Sequence, residues 1–437
     1  MREVIFAAAH LGYDPHQVPI GGGAQVALQL IRRWATSSPF PLTVLGSGPD
    51  PLSLDGIHYR AIPWHVPGEP RLLTELSVRG YARFSRQFEQ GVTEFLAARA
   101  RECDPRKVCV LHNDIAEAGD FGAIARLGYR QAAIFHVDVV DYAARIYGRG
   151  LISAPRLAAC WRGLERARLA RLLPDVARLI FQKQEACVRH CDLLVVPSRG
   201  MREVLLSAYP WRSEQDVLVL PWGAIAAPPP PGTEEEEARI RLQYGLQGDA
   251  PVVLSLSRIS PEKGQDLLLK ALREWERRGG AELVAFICGA PAFIHGRRYM
   301  WRLERLARRL RRVRVHFPGY VSGARKAAFF RAADLYVFPS RHESYGLTLL
   351  EAMAAGLPVL TTPHRSAADL VRPEFGRVVE ASPLGIYGGL RTLLRHREAL
   401  LEMGQRAREF AQTLSFEKAA DRLAQAIAAL VGGPEGI

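Results

Sequence analysis

Two acids, Glu343 and Glu351, frame the run Glu-Ser-Tyr-Gly-Leu-Thr-Leu-Leu-Glu. The run follows an apolar strand pattern, 335–338, that stops at Pro339, and it leads into a helical pattern from about Thr348 to Ala355. Gly356 and Pro358 then end that helix. Ser344 and Tyr345 lie on the loop between, and Gly346 lets a backbone approach a ligand closely. The amides of Gly346, Leu347 and Thr348 are placed to meet phosphate oxygens at the helix start. Thr348 and Glu351 also match the capping box T-x-x-E, in which Glu351 would only satisfy that helix start. Spacing leaves both readings open.

A second cluster lies upstream. The strand pattern 251–257 runs into Arg258-Ile-Ser-Pro-Glu-Lys263-Gly264 and then the helical pattern QDLLLKAL. Ser260 suits an N-cap and Pro261 the first helical position. That places Lys263 in a first helical turn, where the helix dipole disfavours a cation. A bound anion would relieve the cost, with Arg258 sharing it, and a diphosphate fits. The competing reading is a solvated Arg and Lys on a loop.

The first half carries polar groups at strand ends: His112-Asn113-Asp114, then His136-Val137-Asp138, with Asp141 beyond. Ligands of open α/β sheets bind at such ends. His112 and Asp114 could equally be ordinary loop groups, and His112, Asp114, His136 and Asp138 could hold a divalent metal. Gly21, Gly22 and Gly23 mark a tight turn before a helix. They form neither G-x-G-x-x-G nor a Walker sequence. Cys187, His190 and Cys191 could share a helix face, but no fourth ligand lies nearby, so free thiols in a reducing compartment are expected.

The elements that must position these groups repeat one grammar. Short apolar runs alternate with helical patterns, which indicates parallel sheets with helices on both faces. Strands are expected at 3–8, 42–45, 107–111, 132–136, 193–196 and 217–220 in the first half. In the second half they are expected at 251–257, 283–288, 313–317, 335–338 and 358–361. A Pro run and an acidic run at 226–237 read as a linker, and the acids suit the start of the next helix. The 437 residues allow two or three domains. The predicted division is a Rossmann-like domain over 1–225, the linker 226–237, a second Rossmann-like domain over 238–412, and a helix over 413–437 returning to the first domain.

The segment from Arg258 to Pro358 resembles the donor-binding half of retaining glycosyltransferases of family 4. The matching pieces are Arg258 with Lys263-Gly264, Phe317-Pro-Gly-Tyr-Val321, and above all the run from Glu343 through Glu351 to Pro358. Gly21–Gly23, Asp192-Leu-Leu-Val-Val-Pro-Ser198 and Ser415-Phe-Glu-Lys418 match more loosely. Trp222 stands where the family usually has Asn. The resemblance implies an α/β GT-B fold, with two Rossmann-like domains facing each other across a cleft.

It also implies a hexosyltransferase with a UDP- or GDP-linked sugar donor and a sugar, lipid or small-molecule acceptor. On that reading Arg258 and Lys263 hold the diphosphate, Glu351 the ribose and Glu343 the transferred sugar. Ser344 to Thr348 line the donor, and His136 faces the donor sugar. Gly22, Gly23, His112, Asp114 and Asp138 lie on the acceptor or sugar side. No metal or other cofactor is expected. The alternatives are a GT-B sugar-phosphate synthase or phosphorylase, and a non-catalytic binder of nucleotide sugars or nucleic acid.

A net charge of +13 favours anionic partners. Residues 297–314 and 156–173 read as basic helices that could adsorb to anionic lipid. The competing reading is a leucine stripe facing the core with arginines in water. Nucleic acid is not expected, because aromatic residues do not interleave the arginines as stacking platforms would. Residues 4–9 are too short for a signal or a membrane span. The expected location is the cytoplasm, with peripheral contact at the inner membrane face as an open alternative.

Overall fold

The computed structural model describes residues 3–432 except 14–20, 38–39, 51, 53, 71–72, 74–75, 149–150, 225–228, 247 and 293–295. The chain divides into two compact units, one formed by 1–221 with 417–437 and the other by 222–416. The division falls after Pro221 and Phe416 rather than at the expected 225 and 412.

The first unit holds a seven-stranded sheet: β1 (Glu3–Ala7), β2 (Leu42–Gly46), β3 (Ile57–Ala61), β4 (Val108–His112), β5 (Arg130–Ile134), β6 (Leu193–Val196) and β7 (Val217–Val219). Its order is β3-β2-β1-β4-β5-β6-β7, and every pairing is parallel. The central strands are buried on both faces, so they read as unbroken apolar runs. One core layer gathers Ile5, Val110, Phe84 and Phe88. The other gathers Phe121, Phe135, Val188 and Leu205. The C-terminal helix Phe416–Gly432 joins this unit. The Trp34 indole donates to the Ala420 carbonyl at 3.2 Å, and Arg33 forks onto Asp421 at 3.0 and 2.8 Å.

The second unit has six parallel strands: β8 (Val252–Leu256), β9 (Leu283–Cys288), β10 (Val313–Gly319), β11 (Leu335–Phe338), β12 (Val359–Thr361) and β13 (Gly376–Val378). The order is β10-β9-β8-β11-β12-β13. In both sheets the strand order reverses at one point, between β1 and β4 and between β8 and β11. Ligands of open α/β sheets bind beyond the strand ends at such a reversal.

Several expectations need correction. β3 and β13 were not expected; both are edge strands with largely exposed or half-exposed side chains. They lack the continuous apolar signature of an interior strand. The acidic run of the proposed linker already belongs to the helix Thr233–Gln243, where Glu237 pairs with Arg331 at 2.6 Å. The rest of that segment lies partly outside the described residues. The basic stretch 297–314 is helical only over Gly296–Ala307, and its end enters β10. The stretch 156–173 is the helix Ala154–Arg166 and then a separate 3-10 turn. Arg168 sits between them in the left-handed region at φ 59°.

All six cysteines are free. Cys187 and Cys191 are buried together, with Sγ atoms 3.8 Å apart.

Candidate functional site

The C-terminal ends of β8 and β11 bring the expected donor residues to one place in the second unit. After β8 the chain passes exposed Arg258 and makes a one-turn 3-10 helix, Pro261–Lys263. Lys263 therefore ends a separate turn and does not sit in the first turn of the following helix. Gly264 divides that turn from the helix Gln265–Arg277 with φ 68°. A Cβ at Gly264 would lie 2.0 Å from the Pro339 carbonyl oxygen. Only glycine fits there, and the Lys263 turn consequently lies against the loop after β11.

On that loop Glu343 meets Lys263, with Oε2 2.5 Å from Nζ. Its Oε1 accepts from the Ser344 amide at 3.2 Å. Burial works to raise the Glu343 pKa. The Lys263 charge and hydrogen bond outweigh burial, helped by His364 and His342, and hold it at about 2. The carboxyl is thus ionised at neutral pH. Lys263 Nζ also lies 5.8 Å from the centroid of the Phe338 ring, a cation–π distance.

The helix that carries Glu351 starts one residue before the expected Thr348. It spans Leu347–Ala354, with Gly346 as N-cap at φ 93° and no side-chain cap. Glu351 is therefore not half of a capping box. Its Oε1 instead accepts from Lys326 Nζ at 2.8 Å, while Oε2 is buried with no hydrogen-bond partner. Thr348 is committed to the Tyr336 hydroxyl at 2.9 Å. The amides of Leu347 and Thr348 open the helix and have no acceptor within it. The Tyr345 side chain is turned into the second unit. It is buried and donates its hydroxyl to the Trp222 carbonyl. Ser344 is buried as well. Trp222 itself is buried and stacks on Phe416 with centroids 6.0 Å apart.

The first unit gathers its own polar group at its strand-order reversal. Half-buried His136, just beyond β5, has Nε2 3.1 Å from Asn113 Oδ1. Asn113 donates to Asp114 at 2.7 Å. Burial pushes the His136 pKa down, against the pull of Asp114. A Cβ on Gly23 would come within 2.9 Å of His136 Cδ2 and 3.3 Å of Asp114 Oδ1. The glycine loop, with Gly22 opening the helix Gly22–Ser37, thus makes room for the histidine.

Two expected acceptor-side residues turn elsewhere. His112 is fully buried beneath the site, with Nε2 3.1 Å from Gln131 and its ring against Phe121. Burial drives its pKa down to about 3. Asp138 is buried and caps the helix Val139–Ile146 by accepting from the Asp141 amide at 2.9 Å. The metal quartet His112, Asp114, His136 and Asp138 is accordingly not assembled. Asp114 instead lies with His10 and Glu117, whose ligand-type atoms fall within 4.8 Å of one another. Tyr81 donates to Glu117 there. A broad cavity of about 1280 Å³ lies at the opposite, N-terminal ends of β1, β2 and β4, among Glu3, Thr43 and Val108, away from both clusters.

Comparison with known proteins fits this geometry. Residues 236–410 match the family model described as "Glycosyl transferases group 1". Over residues 236–410 the second unit is similar to the group 1 glycosyl transferases. A D-inositol 3-phosphate glycosyltransferase from Corynebacterium glutamicum is 30% identical over 254 residues, 56% of this chain and 59% of that protein. The chain thus spans little more than half the length of that curated relative. Among solved structures, the sucrose-phosphate synthase of Thermosynechococcus elongatus has a TM-score of 0.71 at 20% identity, covering 98% of both chains. Anabaena HepE, solved with UDP-glucose, has a TM-score of 0.67 at 16% identity, covering 98% of this chain and 100% of that one. The fold class is GT-B, built from two Rossmann-like α/β units.

Within the second unit, sequence reasoning missed the residues that hold the loops after β8 and β11 together. Arg341 forks onto Asp266 at 2.7 and 3.0 Å and reaches the Pro261 carbonyl at 2.8 Å. Its backbone amide donates to the Glu262 carbonyl at 2.7 Å. Asp266 also accepts from Lys270 at 2.9 Å and from the Tyr299 hydroxyl at 2.8 Å. Burial opposes ionisation of Asp266, but these donors hold its pKa well below the carboxylate range. His364, between Ser366 and Thr361 at 3.0 and 3.1 Å, is among the groups that lower the Glu343 pKa. Arg341 lies two residues before Glu343, but nothing in the spacing pairs it with Asp266.

Proposed function

We propose that the chain transfers a sugar from a nucleotide-diphosphate donor to an acceptor hydroxyl with retention at the anomeric carbon. The observation that carries this reading is the ionised Glu343 paired with Lys263 beside the helix start that bears Glu351, all at the β8/β11 reversal. Arg258 and Lys263 neutralise the diphosphate, together with the amides of Leu347 and Thr348. The unpartnered Glu351 Oε2 supplies acceptor capacity for ribose hydroxyls. Glu343 binds hydroxyls of the transferred sugar.

In the proposed step the bond from the anomeric carbon to the phosphate oxygen breaks, and its electron pair leaves with the diphosphate. The acceptor oxygen bonds to the same face of the carbon. The acceptor proton passes to the departing phosphate oxygen. The protein contributes positioning and charge stabilisation, and His136 is assigned to the sugar by the family resemblance. Basic side chains and the helix start carry the phosphate charge, with no metal required. UDP- and GDP-linked sugars are the donor classes.

Product analysis with UDP-glucose, UDP-GlcNAc and GDP-mannose, each offered with neutral and phosphorylated sugar acceptors, tests the reading. The expected result is one preferred donor and a product with the donor's anomeric configuration. Inversion would exclude retention. Release of free sugar phosphate from a glycoside and inorganic phosphate would favour a phosphorylase instead.

A further inference from the structure

We propose that the arginine-covered face of the helix Gly296–Ala307, with the turn that follows it, docks on an anionic membrane surface. The helix is sharply two-sided. Tyr299 and Leu303 are buried, and Met300 and Leu306 pack on the same core. On the other side Arg297, Trp301 and Arg305 recur at four-residue spacing, flanked by Arg298 and Arg302, and all five are exposed. At 100° per residue these five side chains fall within an arc of roughly 140°. The exposed Arg308, Arg309, Arg311 and Arg312 extend the charge into the turn. The amides of Arg311, Arg312 and Val313 bind Glu276 at 2.8, 2.5 and 2.7 Å, which fixes that turn.

What marks this face is a dense group of arginines with no paired carboxylate side chain. Other arginines do form pairs, among them Arg33 with Asp421, Arg130 with Asp192, Arg331 with Glu237 and Arg397 with Asp334. Among the described residues, none of the eight arginines on this face forms an ion pair. Glu304 is the only acid between 297 and 314. Eight arginines without an ion-pair partner are a large share of the net +13, and their mutual repulsion is relieved by a polyanionic plane. Trp301, 68% exposed in the midst of the arginines, selects a lipid interface among polyanions. An indole partitions into the headgroup layer while arginines bind lipid phosphates. A single-stranded nucleic acid would call for several stacking rings, and Tyr299 is turned into the core. The inference is independent of the donor reading.

Flotation of the full chain with vesicles tests it. The chain is expected to float with phosphatidylcholine–phosphatidylglycerol vesicles, to lose them as salt rises, and to ignore phosphatidylcholine alone. The variant R298E/R302E/R305E/R309E loses binding, with thermal unfolding unchanged because all four side chains are in water. Arg302→Gln and Arg305→Gln each weaken partitioning about fivefold, which keeps the test decisive if the quadruple variant misfolds. The tryptophan blue shift on adding anionic vesicles disappears in Trp301→Ala. Equal binding to both vesicle types, parental binding by the charge variants, or preference for DNA over anionic vesicles at matched charge would overturn the proposal.

Discussion

Lys263 and Glu343, eighty residues apart in the chain, close into an ion pair whose two side chains are only 13% and 16% exposed. The pair joins the turn after β8 to the loop after β11. It gives each loop a charged group in a place with little water. On the proposed reading, a donor diphosphate entering there would compete with Glu343 for the lysine, so the pair would both preorganise the site and set its charge.

Lys263→Ala is expected to lower kcat about 10²- to 10³-fold, the usual effect of losing one preorganised donor to developing charge. It also strands Glu343, at a cost of about 3 kcal/mol. The double variant K263A/E343Q should recover most of that stability in urea unfolding and none of the activity. Recovery of activity with stability would mean that Lys263 acts only as a strut.

The same pair makes stability depend on pH. The folded pKa of Glu343 is depressed from 4.5 to about 2, so its contribution is fully present above about pH 4.5. It is lost as the pH falls toward 2. The difference corresponds to roughly 3 kcal/mol. Unfolding free energy measured between these limits should fall less steeply for Glu343→Gln than for the parent. Parallel curves would show that the carboxyl is not held down by Lys263.

Much of this was legible in the sequence, for reasons tied to particular residues. Strands such as β1, β4, β9 and β11 are buried on both faces, so they had to be continuous apolar runs. β3 and β13 lie at sheet edges, where Arg60, Arg377 and Val378 are exposed, and no such run was needed. The run from Glu343 to Glu351 marked the site, but Thr348 and Glu351 mimicked a capping box. That template cannot show that Gly346 takes the N-cap position in a left-handed conformation. The Arg341–Asp266 clamp was invisible because its two residues meet only after the sheet has formed. His112 and Asp138 looked like site residues because they end or follow strands, yet burial commits one to Gln131 and the other to a helix cap.

Gly264→Ala should destabilise the second unit by about 2 kcal/mol or more, because φ 68° is strained for a side chain and the Pro339 carbonyl blocks the added carbon. The lost fit also displaces the Lys263 turn. Donor affinity measured by titration should therefore fall even at temperatures where the variant is fully folded. Parental affinity in the folded variant would separate the turn from the donor site.

Gly23→Ala and His136→Ala should have matching effects. A methyl group at 23 forces the His136 ring aside, and small displacements of a positioned group cost about 10²-fold in rate. Both variants should lose kcat to that extent while binding the nucleotide as the parent does. A change in nucleotide affinity, with kcat retained, would remove His136 from the sugar.

The most direct test of the central claim is calorimetric titration of the parent and of Glu351→Ala with UDP, GDP and their sugars. The parent should bind one nucleotide series. The variant should bind it at least about tenfold more weakly, about 1.4 kcal/mol, with ligand-free unfolding little changed, because Glu351 does not cap its helix. Equal affinity in parent and variant, or no nucleotide binding by the parent, would contradict the account.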